Sequence, residues 1–483
     1  MKNLTLLTDL YQLTMMQGYF KSGFGDKEVV FDMFYRKNPY NGGYAICAGL
    51  EQVIEYIKEL HFDKEDIQYL RSLNIFEEDF LGALKEFRFT GDIYAIPEGT
   101  VIFPNEPILR VHSTIMEAQY IETAILNIIN HQSLIATKAS RVRLAAQNDR
   151  VLEFGLRRAQ GPDAGVYGAR AAIIGGCNGT SDVLAGQIFD VPISGTHAHS
   201  WVMSFDSELE AFRTYANIFP QAAILLVDTY DTLTSGVPNA IKIFDEMREQ
   251  GKLTGLYGIR LDSGDLAYLS KKARRMLDAA GHEEAIISAS SDLDENLITD
   301  LKLQGAKITL WGVGTRLITS EGWSAFGGVY KIVACKDKYG DFIPKIKLSD
   351  NAAKVTNPGI KKVVRCYDTE HHKIKVDLIA LDNEKFDESQ TIIASDHNAR
   401  WKKMTLHPGQ FTLRELLVPI FQAGACVYDS PTILEIAEYA KSEMNTLWEE
   451  HLRFINPEIM PVDLSDKLYL LKNDMLKNFE KGL

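Results

Sequence analysis

Short apolar runs alternate with helical stretches in the middle of the chain, and this alternation constrains the fold more than any other feature. The runs are VLEFG (151–155), AAIIGG (171–176), VPISGTHAH (191–199), AILLVDTYD (223–231), LYGIRLDSGD (256–265), AIISASSD (285–292) and AKITLWGVGT (306–315). Helical periodicity appears in the intervening segments SELEAFRTYANIF, PNAIKIFDEMREQ, LAYLSKKARRMLDAAG and LDENLITDLKLQG. Strands that alternate with helices form parallel sheets joined by crossover helices. The seven runs favour a barrel of the (β/α)₈ type, with a doubly wound sheet as the alternative.

The segments on either side of this alternation have a mixed pattern. Helical periodicity predicts helices over 1–25, over 50–88 and over MEAQYIETAILNIIN. Residues 29–34 are β-rich, and 89–113 contain strand-like pieces broken by glycine and proline. The chain is β-rich again after residue 330. From about residue 412, the segments LRELLVPIF and SPTILEIAEYAKSEMNTLWEEHLRFI predict helices.

Composition excludes several classes of protein. The 483 residues are 46% hydrophobic and 24% charged, which is typical of globular domains. A net charge of −13 disfavours binding of the whole protein to nucleic acid or to an anionic membrane. The five cysteines are scattered and form no C-x-x-C pair, which favours a reducing compartment over a disulfide framework. No apolar run is long enough to span a membrane, and the start is a poor signal peptide. We therefore expect a soluble, cytoplasmic protein.

Residues with chemical functions cluster directly after the apolar runs. They are Arg157, His199, Asp228, Asp262, Asp292 and Gly314. In a parallel barrel, the carboxyl ends of all strands meet at the face where such folds place their active sites. We therefore expect these side chains to converge on one face.

The turn WGVGTRL (311–317) has features of a phosphate site. Gly312 and Gly314 would let backbone N–H groups approach an anion closely, and the last βα-loops of a barrel are its usual phosphate-binding place. A glycine-rich turn with no ligand is the alternative.

A second anion-binding candidate is the turn EFGLRRAQGPD (153–163). Arg157 and Arg158 suit bidentate recognition of a carboxylate or phosphate, and Phe154 could stack on a planar ring. A structural arginine paired with Glu153 or Asp163 is the alternative.

The segment SGTHAHSW (194–201) contains two histidines but no third ligand at metal-like spacing. We interpret His199 as a solitary reactive histidine with Asp228 as its orienting carboxylate. His197 is interpreted as a packed, hydrogen-bonded side chain.

The segment GIRLDSGD (258–265) holds Arg260, Asp262 and Asp265. Carboxylates here could bind ribose hydroxyls, hold magnesium or stabilise a developing sugar cation. The alternative is a cap for the following helix. We predict a functional role for Asp262 and a capping role for Asp265.

The stretch from Lys331 to Arg365 reverses the charge of the chain. Nine basic and three acidic residues give it a local excess of six positive charges. This excess favours a polyphosphate ligand, with a solvated lysine-rich β surface as the alternative. Elsewhere, Tyr11 lies on an apolar helix stripe, where a lone aromatic residue is more often part of a core.

Taken together, these segments resemble nicotinate phosphoribosyltransferases, which belong to the type II phosphoribosyltransferases. The matching motifs, in the order and spacing of that family, are TDLYQ (8–12), EFGLRRAQGPD (153–163), SGTHAHSW (194–201), LLVDTYDT (225–232), RLDSGDLA (260–267), GVGT (312–315), GGVYK (327–331) and PKIKLSDNAAKVTNPG (344–359). The resemblance is firm from about residue 5 to 365 and looser beyond.

The resemblance implies a reaction. Nicotinate attacks C1 of 5-phosphoribosyl-1-pyrophosphate, giving nicotinate mononucleotide and pyrophosphate, the entry step of NAD synthesis from nicotinic acid. ATP is a co-substrate whose hydrolysis is coupled through a phosphorylated histidine, and Mg²⁺ is expected as a cofactor without a fixed protein site. The rival activities are transfer to nicotinamide or quinolinate, and nucleotide sensing without turnover.

The resemblance also implies roles for individual residues. His199 would be the phosphorylated histidine, held in the right tautomer by Asp228, and Asp262 would stabilise the charge that develops on the ribose. Substrate binding would involve Tyr11, Phe154, Arg157, Arg158, Arg260, Gly312, Gly314 and Thr315. Lys345 and Lys347 would contact pyrophosphate or ATP.

The implied architecture is an irregular barrel packed on an α/β N-terminal domain, with a helical C-terminal region. The expected domains are an N-terminal α/β domain over 1–130, completed by about 330–400, a barrel with the active site over 131–330, and a mainly helical region over 401–483. The expected assembly is a homodimer in which Tyr11 reaches the partner's active site.

Overall fold

The structure, a computed structural model, describes residues 3–349, 351, 354–396, 399 and 401–482. Asp350, counted above in the basic stretch, lies outside the described residues, as do Ala352 and Ala353 of the motif at 344–359. The chain divides into two compact units. Unit 1 comprises Met1–Leu134, Ala325–Pro431 and Tyr439–Leu483, and unit 2 comprises Ile135–Ser324 and Thr432–Glu438.

The elements of regular structure follow in chain order. The helices are α1 (Leu10–Lys21), α2 (Leu50–Lys58), α3 (Lys64–Ser72), α4 (Glu78–Leu84), α5 (Ile115–Tyr120), α6 (Glu122–Ala146), α7 (Pro162–Ile174), α8 (Val183–Phe189), α9 (His199–Met203), α10 (Glu208–Ile218), α11 (Val237–Glu249), α12 (Leu266–Ala279), α13 (Glu295–Leu303), α14 (Thr315–Ile318), α15 (Ile433–Met444) and α16 (Asp466–Gly482). The strands are β1 (Glu28–Tyr35), β2 (Ala45–Ile46), β3 (Asp92–Ala95), β4 (Val101–Ile102), β5 (Leu109–Thr114), β6 (Arg150–Glu153), β7 (Gly179–Thr180), β8 (Ala222–Leu226), β9 (Leu256–Leu261), β10 (Ile286–Ala289), β11 (Leu310–Val313), β12 (Gly328–Lys336), β13 (Phe342–Pro344), β14 (Lys361–Asp368), β15 (Ile374–Leu381), β16 (Ile392–Ser395), β17 (Lys403–Leu406), β18 (Phe411–Glu415), β19 (Val418–Gln422), β20 (Ala425–Cys426) and β21 (Val462–Leu464). Short 3₁₀ turns lie at Pro39–Asn41, Leu156–Arg158 and Glu449–His451, and a π turn lies at Thr232–Gly236.

Unit 2 is built on one curled parallel sheet with the strand order β7-β6-β11-β10-β9-β8. The first strand after α6 pairs with the last, because β6 lies beside β11 through Val151 and Trp311. Pairing of the first and last strands is a feature of (β/α) barrels, but this sheet ends at β7 and β8, so it is curled and not closed. A single parallel bridge between Thr180 and Ile193 adds the beginning of a further strand beside β7. The fold is therefore an incomplete (β/α) barrel, as the alternation of runs and helices predicts.

An apolar cluster in unit 2 is formed by side chains from β6, β8, β10 and β11. Leu152, Ile224 and Leu310 form a buried cluster there, with Phe154 and Ile286 packed against it. Residues that point into a parallel barrel stack in layers in this way. The layer closes the barrel beneath its carboxyl edge, so polar groups that follow the strands lie on top of an apolar base.

Unit 1 contains an antiparallel sheet, a mixed sheet in which β15 and β21 are parallel, and most of the buried aromatic residues. Its larger sheet has the order β13-β12-β1-β5-β3-β19-β20, and its second sheet has the order β17-β16-β21-β15-β14-β18. β1 pairs antiparallel with both β12 and β5, so a segment after residue 325 completes a sheet begun near the N-terminus. Helices α2 to α6 contribute to one large apolar cluster of this unit.

Two secondary-structure predictions were wrong. The run AAIIGG was interpreted as a strand, but residues 171–174 belong to α7. The segment LRELLVPIF was interpreted as a helix, but it forms β18 and β19, and strands β17 to β20 occupy much of the region from 403 to 426. The predicted mainly helical region 401–483 therefore begins with strands, and its helices are α15 and α16.

Candidate functional site

A cavity of about 410 Å³ opens at the carboxyl edge of the parallel sheet of unit 2. It is lined by Phe154, Arg157, Arg158, Ser181, Gly195, Thr196, His197, Ala198, His199, Leu226, Arg260, Asp262, Ser290, Ser291, Asp292, Gly312, Gly314 and Thr315. These residues come from the ends of β6 to β11 and from the loop after residue 193. The predicted convergence of polar residues on one face of a barrel is therefore present.

The turn after β6 presents an aromatic ring to this cavity. A Cβ atom on Gly312 would lie about 2.5 Å from the ring of Phe154, so the absence of a side chain at 312 makes room for the ring. Glu153 anchors the turn, since its carboxylate accepts hydrogen bonds from the Gly155 N–H and, at 2.6 Å, from the Thr180 hydroxyl. Burial raises the pKa of Glu153. The Glu153 carboxylate therefore forms its hydrogen bonds within the protein and stabilises the turn.

Arg157 and Arg158 follow in the 3₁₀ turn at Leu156–Arg158. Both residues are exposed and both line the cavity. A guanidinium group in such a position has donors available for a carboxylate or phosphate. The arrangement favours the ligand-binding interpretation of these arginines over the structural one.

His199 is the first residue of α9 and is held from two sides. Its Nδ1 lies 3.0 Å from the Thr229 hydroxyl. Its Nε2 lies 3.9 Å from Oδ1 of Asp228 and 3.7 Å from Oδ2 of Asp262. The side chain is 39% exposed, so it combines fixed orientation with access from the cavity. The ring hydrogen bond that sequence reasoning assigned to Asp228 is made by Thr229, because Asp228 lies beyond hydrogen-bond distance.

Asp228 links the loop after β8 to the loop after β9 by hydrogen bonds. Its Oδ2 accepts hydrogen bonds from the Asp262 backbone N–H at 2.9 Å and from the Ser263 hydroxyl at 2.6 Å. Its Oδ1 is buried, and no described residue provides it with a hydrogen bond. A buried carboxylate oxygen without a donor is costly unless a positive charge lies near it. That oxygen lies 3.9 Å from Nε2 of His199.

Asp262 is fixed by two neighbours at the end of β9. Its Oδ1 accepts hydrogen bonds from Arg260 at 2.9 Å and from the Ser290 hydroxyl. Burial acts to raise the pKa of Asp262, but the hydrogen bonds and the positive charge of Arg260 outweigh it, so the net pKa is lowered. Asp262 is therefore an ionised carboxylate whose Oδ2 faces the cavity near His199.

The guanidinium of Arg260 is engaged within the protein. Besides Asp262, it donates to the Ser290 hydroxyl at 2.8 Å and to the Thr196 hydroxyl at 2.9 Å. The substrate-binding role of Arg260 stays a prediction. Its hydrogen bond to Asp262 shows that Arg260 positions that carboxylate.

His197 has a different environment from His199. It is buried against Phe212 and Tyr215, and its Nε2 accepts the backbone N–H of Leu226 at 3.2 Å. Burial, with smaller contributions from the charges of Arg260 and His199, lowers the pKa of His197 to about 4. The interpretation of His197 as a packed, hydrogen-bonded side chain is confirmed.

The glycine loop after β11 brings Gly314 and Thr315 to the cavity, with α14 beginning at Thr315. A Cβ atom on Gly314 would lie 3.2 Å from the carbonyl oxygen of Phe154, a tight approach that leaves little space for a side chain. The next residue, Arg316, pairs with Asp294 at 2.8 Å. This ion pair links the loop to the start of α13, where Asp294 caps the helix.

Three predicted residues belong to unit 1. Tyr11 lies on α1 and is 48% exposed, so it is a surface residue and not a core residue. Lys345 and Lys347 are exposed. Their assignment to substrate or ATP stays a prediction.

Models of three parts of one family match this chain. The nicotinate phosphoribosyltransferase N-terminal domain matches residues 6–130, the family's central model matches 150–372, and its C-terminal domain matches 360–472. The chain is 46% identical over 466 residues to a nicotinate phosphoribosyltransferase of Bacillus subtilis, covering 96% of this chain and 93% of that protein. The chain belongs to the nicotinate phosphoribosyltransferase family.

More distant members of this family agree with that result. The human nicotinate phosphoribosyltransferase is 31% identical over 529 residues, covering 97% of this chain and 96% of the human protein. The crystal structure of human nicotinic acid phosphoribosyltransferase superposes with a TM-score of 0.84 at 29% identity, covering 97% of this chain and 99% of that one. A nicotinate-nucleotide pyrophosphorylase from Pyrococcus furiosus, with a TM-score of 0.68 at 24% identity, shares the fold.

The sequence did not predict the three hydroxyl groups that hold side chains of the candidate site. Thr229 holds His199, Ser290 holds Asp262, and Thr196 holds Arg260. Serine and threonine are common after strands for structural reasons, so the sequence carried no signal beyond their position beside the candidate histidine and aspartates. Among the residues that the structure describes, no group of three or more His, Cys, Asp or Glu could hold a metal ion. In the same part of the chain, no helix is both long and apolar enough to cross a membrane.

Proposed function

We propose that this protein transfers the phosphoribosyl group of 5-phosphoribosyl-1-pyrophosphate to nicotinate. The products are nicotinate mononucleotide and pyrophosphate, and the reaction is an entry step of NAD biosynthesis. The observation that carries the proposal is Asp262, an ionised carboxylate fixed by Arg260 and Ser290 at the cavity. The relatives that the chain matches over nearly its whole length are named for this reaction.

The chemistry requires stabilisation of positive charge on the ribose. The pyridine nitrogen forms a bond to C1, and the C1–oxygen bond breaks with its electron pair leaving on pyrophosphate. C1 acquires oxocarbenium character during this exchange. A fixed carboxylate beside that carbon interacts more strongly with the transition state than with the neutral sugar, which lowers the barrier. Asp262 fills this role because its partners hold its orientation before the substrate arrives.

The remaining cavity residues fit the two substrates. Phe154 offers an aromatic face to the pyridine ring, and Arg157 and Arg158 offer donors to the nicotinate carboxylate and to phosphate oxygens. The backbone at Gly314 and Thr315 would receive the 5-phosphate. Nicotinamide would leave a guanidinium poorly paired, so we propose a preference for the acid over the amide.

We further propose that ATP phosphorylates His199 to drive the reaction. An imidazole nitrogen attacks the γ-phosphorus, ADP departs with the electron pair of the broken P–O bond, and hydrolysis of the phosphohistidine later releases phosphate. His199 is suited to this role because it is part-exposed at the cavity, and Asp228 and Asp262 both face its Nε2. These carboxylates would balance the charge of the phosphorylated ring.

Magnesium would accompany the pyrophosphate and ATP. Asp262 and Asp292 are the carboxylates that line the cavity, and they could complete the coordination of an ion held mainly by phosphate oxygens. Such an ion would neutralise the charge of the leaving pyrophosphate. Lys345 and Lys347 are exposed, and we propose them as contacts of pyrophosphate or ATP.

We propose a homodimer in which Tyr11 of one subunit contributes to the active site of the other. The support is the surface around Tyr11, where Leu7, Leu10 and Met15 are also exposed. Exposed apolar patches of this kind are typical of interfaces. A reducing compartment such as the cytoplasm fits the five free cysteines of the chain.

The experiment that tests the proposal measures pyrophosphate release from 5-phosphoribosyl-1-pyrophosphate and Mg²⁺, with nicotinate, nicotinamide or quinolinate, each with and without ATP. We expect release with nicotinate and faster release when ATP is present. A higher kcat/KM with nicotinamide or quinolinate would overturn the choice of acceptor. Release that ATP leaves unchanged would overturn the coupling, and no release with any of these acceptors would overturn the transferase activity.

A further inference from the structure

Two consecutive residues after β8 reach opposite sides of the His199 ring. The Thr229 hydroxyl lies 3.0 Å from Nδ1, and Oδ1 of Asp228 lies 3.9 Å from Nε2. Asp262 adds a second carboxylate on the Nε2 side at 3.7 Å. The two ring nitrogens therefore have different surroundings, a hydroxyl at Nδ1 and carboxylates at Nε2.

This difference assigns the proton of the neutral imidazole. Asp228 and Asp262 lie 3.9 and 3.7 Å from Nε2, beyond hydrogen-bond distance, but their negative charge attracts an N–H group and repels a lone pair, so Nε2 is the nitrogen that carries hydrogen. The lone pair then lies on Nδ1, and the Thr229 hydroxyl donates to it. Because threonine is branched at Cβ, its χ1 angle is restricted, and the hydroxyl is a stiff support for the ring.

We propose that Thr229 is a positioning residue that holds His199 in the Nε2–H tautomer, with Nδ1 as the nucleophilic nitrogen. The proposal deepens, and rests on, the phosphohistidine step proposed above. As the bond between Nδ1 and the γ-phosphorus forms and the bond from phosphorus to ADP breaks, the Thr229 hydroxyl transfers its hydrogen bond from Nδ1 to a phosphoryl oxygen. Nε2 keeps its hydrogen throughout, facing Asp228 and Asp262.

The test compares Thr229→Val, which removes the hydroxyl at nearly constant shape, with Thr229→Ser, which keeps it. The matched control is Thr299→Val in α13, where the hydroxyl donates only to the Glu295 carbonyl at 2.7 Å. The first readout is the pair of imidazole ¹⁵N shifts of His199 in protein labelled at histidine, assigned by loss of the signals in His199→Gln. The second is the rate of pyrophosphate release with and without ATP.

We expect the wild type, Thr229→Ser and Thr299→Val to show the Nε2–H tautomer with a hydrogen-bonded Nδ1. Thr229→Val should show a changed Nδ1 shift and a mixture of tautomers. Its ATP-stimulated rate should fall roughly tenfold, the equivalent of one lost hydrogen bond, and by a larger factor than its ATP-independent rate.

Unchanged ¹⁵N shifts in Thr229→Val would overturn the proposal. So would an equal fall of both rates with unchanged shifts, because that result marks a structural role. The phosphohistidine step is tested separately, by asking whether labelled γ-phosphate appears on His199 in the wild type. If no label appears, the coupling is wrong, and the ¹⁵N comparison still decides whether Thr229 sets the tautomer.

Discussion

The lysine-rich stretch of unit 1 (Lys331 to Arg365) and the carboxyl edge of the parallel sheet in unit 2 are both rich in charged side chains, but these side chains differ in how they are paired and exposed. In the lysine-rich stretch, Lys361 pairs with Asp32 at 2.8 Å and Arg365 pairs with Asp377 at 2.6 Å, and all four side chains are buried. At the carboxyl edge, Oδ1 of Asp228 is buried without a hydrogen-bond donor among the described residues. His199 beside it is part-exposed.

This difference corrects the polyphosphate interpretation of the basic stretch. Five of its basic residues form ion pairs with acidic residues from other segments of unit 1. The pairs are Lys331–Glu122, Lys336–Glu28, Lys361–Asp32, Lys362–Glu415 and Arg365–Asp377. Counting charges along a local window misses partners on other segments, and three of these (Glu122, Glu28 and Asp32) lie more than two hundred residues away. Much of the excess is therefore structural, and Lys345 and Lys347 are among the four exposed lysines of the stretch outside these pairs, with Lys338 and Lys354.

The largest loss of stability is expected from removing one partner of the buried Arg365–Asp377 ion pair in unit 1. Arg365→Met leaves Asp377 buried without its cation, whereas Glu443 keeps its pair with Arg414, and removal of one partner from a buried ion pair costs about 3–5 kcal/mol of unfolding free energy. Urea unfolding measures the loss, and turnover per folded molecule should stay within twofold.

The control for this variant is Lys362→Met on the same strand. Lys362 pairs with Glu415, whose side chain is 60% exposed, so the cost should be about 1 kcal/mol or less. Equal losses for Arg365→Met and Lys362→Met would show that burial does not separate the two kinds of pair.

The next effect is expected at the carboxyl edge, on activity and not on stability. Asp262→Asn keeps the shape of the side chain but removes the charge that would face the ribose, and kcat should fall about 10²–10³-fold. The control is Asp265→Asn, three residues away, where Asp265 caps α12 by accepting the Tyr268 N–H. Asparagine caps helices as well as aspartate, so this variant should keep its turnover. Equal kinetic losses in both variants would contradict a specific role for Asp262.

The sequence predicted those parts of the fold whose signals are local. Helices α10 to α13 were predicted from their periodicity, and Asp265 was predicted as a cap. AAIIGG failed because α7 is buried on nearly all sides, so no polar face reveals its helical period. LRELLVPIF failed because leucine and glutamate favour helices locally, whereas pairing with β3 and β14 decides the outcome. Pro419 was a missed signal, since it lies beside a register shift in β19 and would disrupt a helix.

The same distinction applies to the candidate site. Motifs identified the residues that line the cavity, because their positions after strands follow from the barrel. Which polar atom bonds to which could not be predicted, since Thr229, Ser290 and Thr196 lie on different loops that only the folded barrel brings together. The sequence can thus predict which residues belong to the site. The hydrogen bonds between them can be assigned only from the folded structure.

A smaller effect is expected at Gly312, where the absence of a side chain leaves room for the Phe154 ring. Gly312→Ala places a methyl group about 2.5 Å from the Phe154 ring, which must move. Overpacking of this kind costs about 1–3 kcal/mol, and we expect it to appear mainly as a raised KM for nicotinate. Gly82→Ala is the control, because nothing lies within 4 Å of a Cβ atom at that position in α4. Unchanged KM values in Gly312→Ala would show that Phe154 does not set the affinity for the pyridine ring.

The last effect is expected in the response of His197 to acid. His197 has a pKa of about 4 in the folded protein, below the value of about 6.5 expected when unfolded, so the unfolded chain binds the extra proton between these values. The contribution of His197 to stability is therefore complete above pH 6.5 and is lost as the pH falls towards 4, at about 1.4 kcal/mol per pH unit. His197→Gln cannot titrate, and its amide can accept the Leu226 N–H, so its unfolding free energy should fall less steeply between pH 7 and 5 than that of the wild type. Equal slopes for the wild type and His197→Gln in urea unfolding would show that burial of His197 does not contribute to the loss of stability in acid.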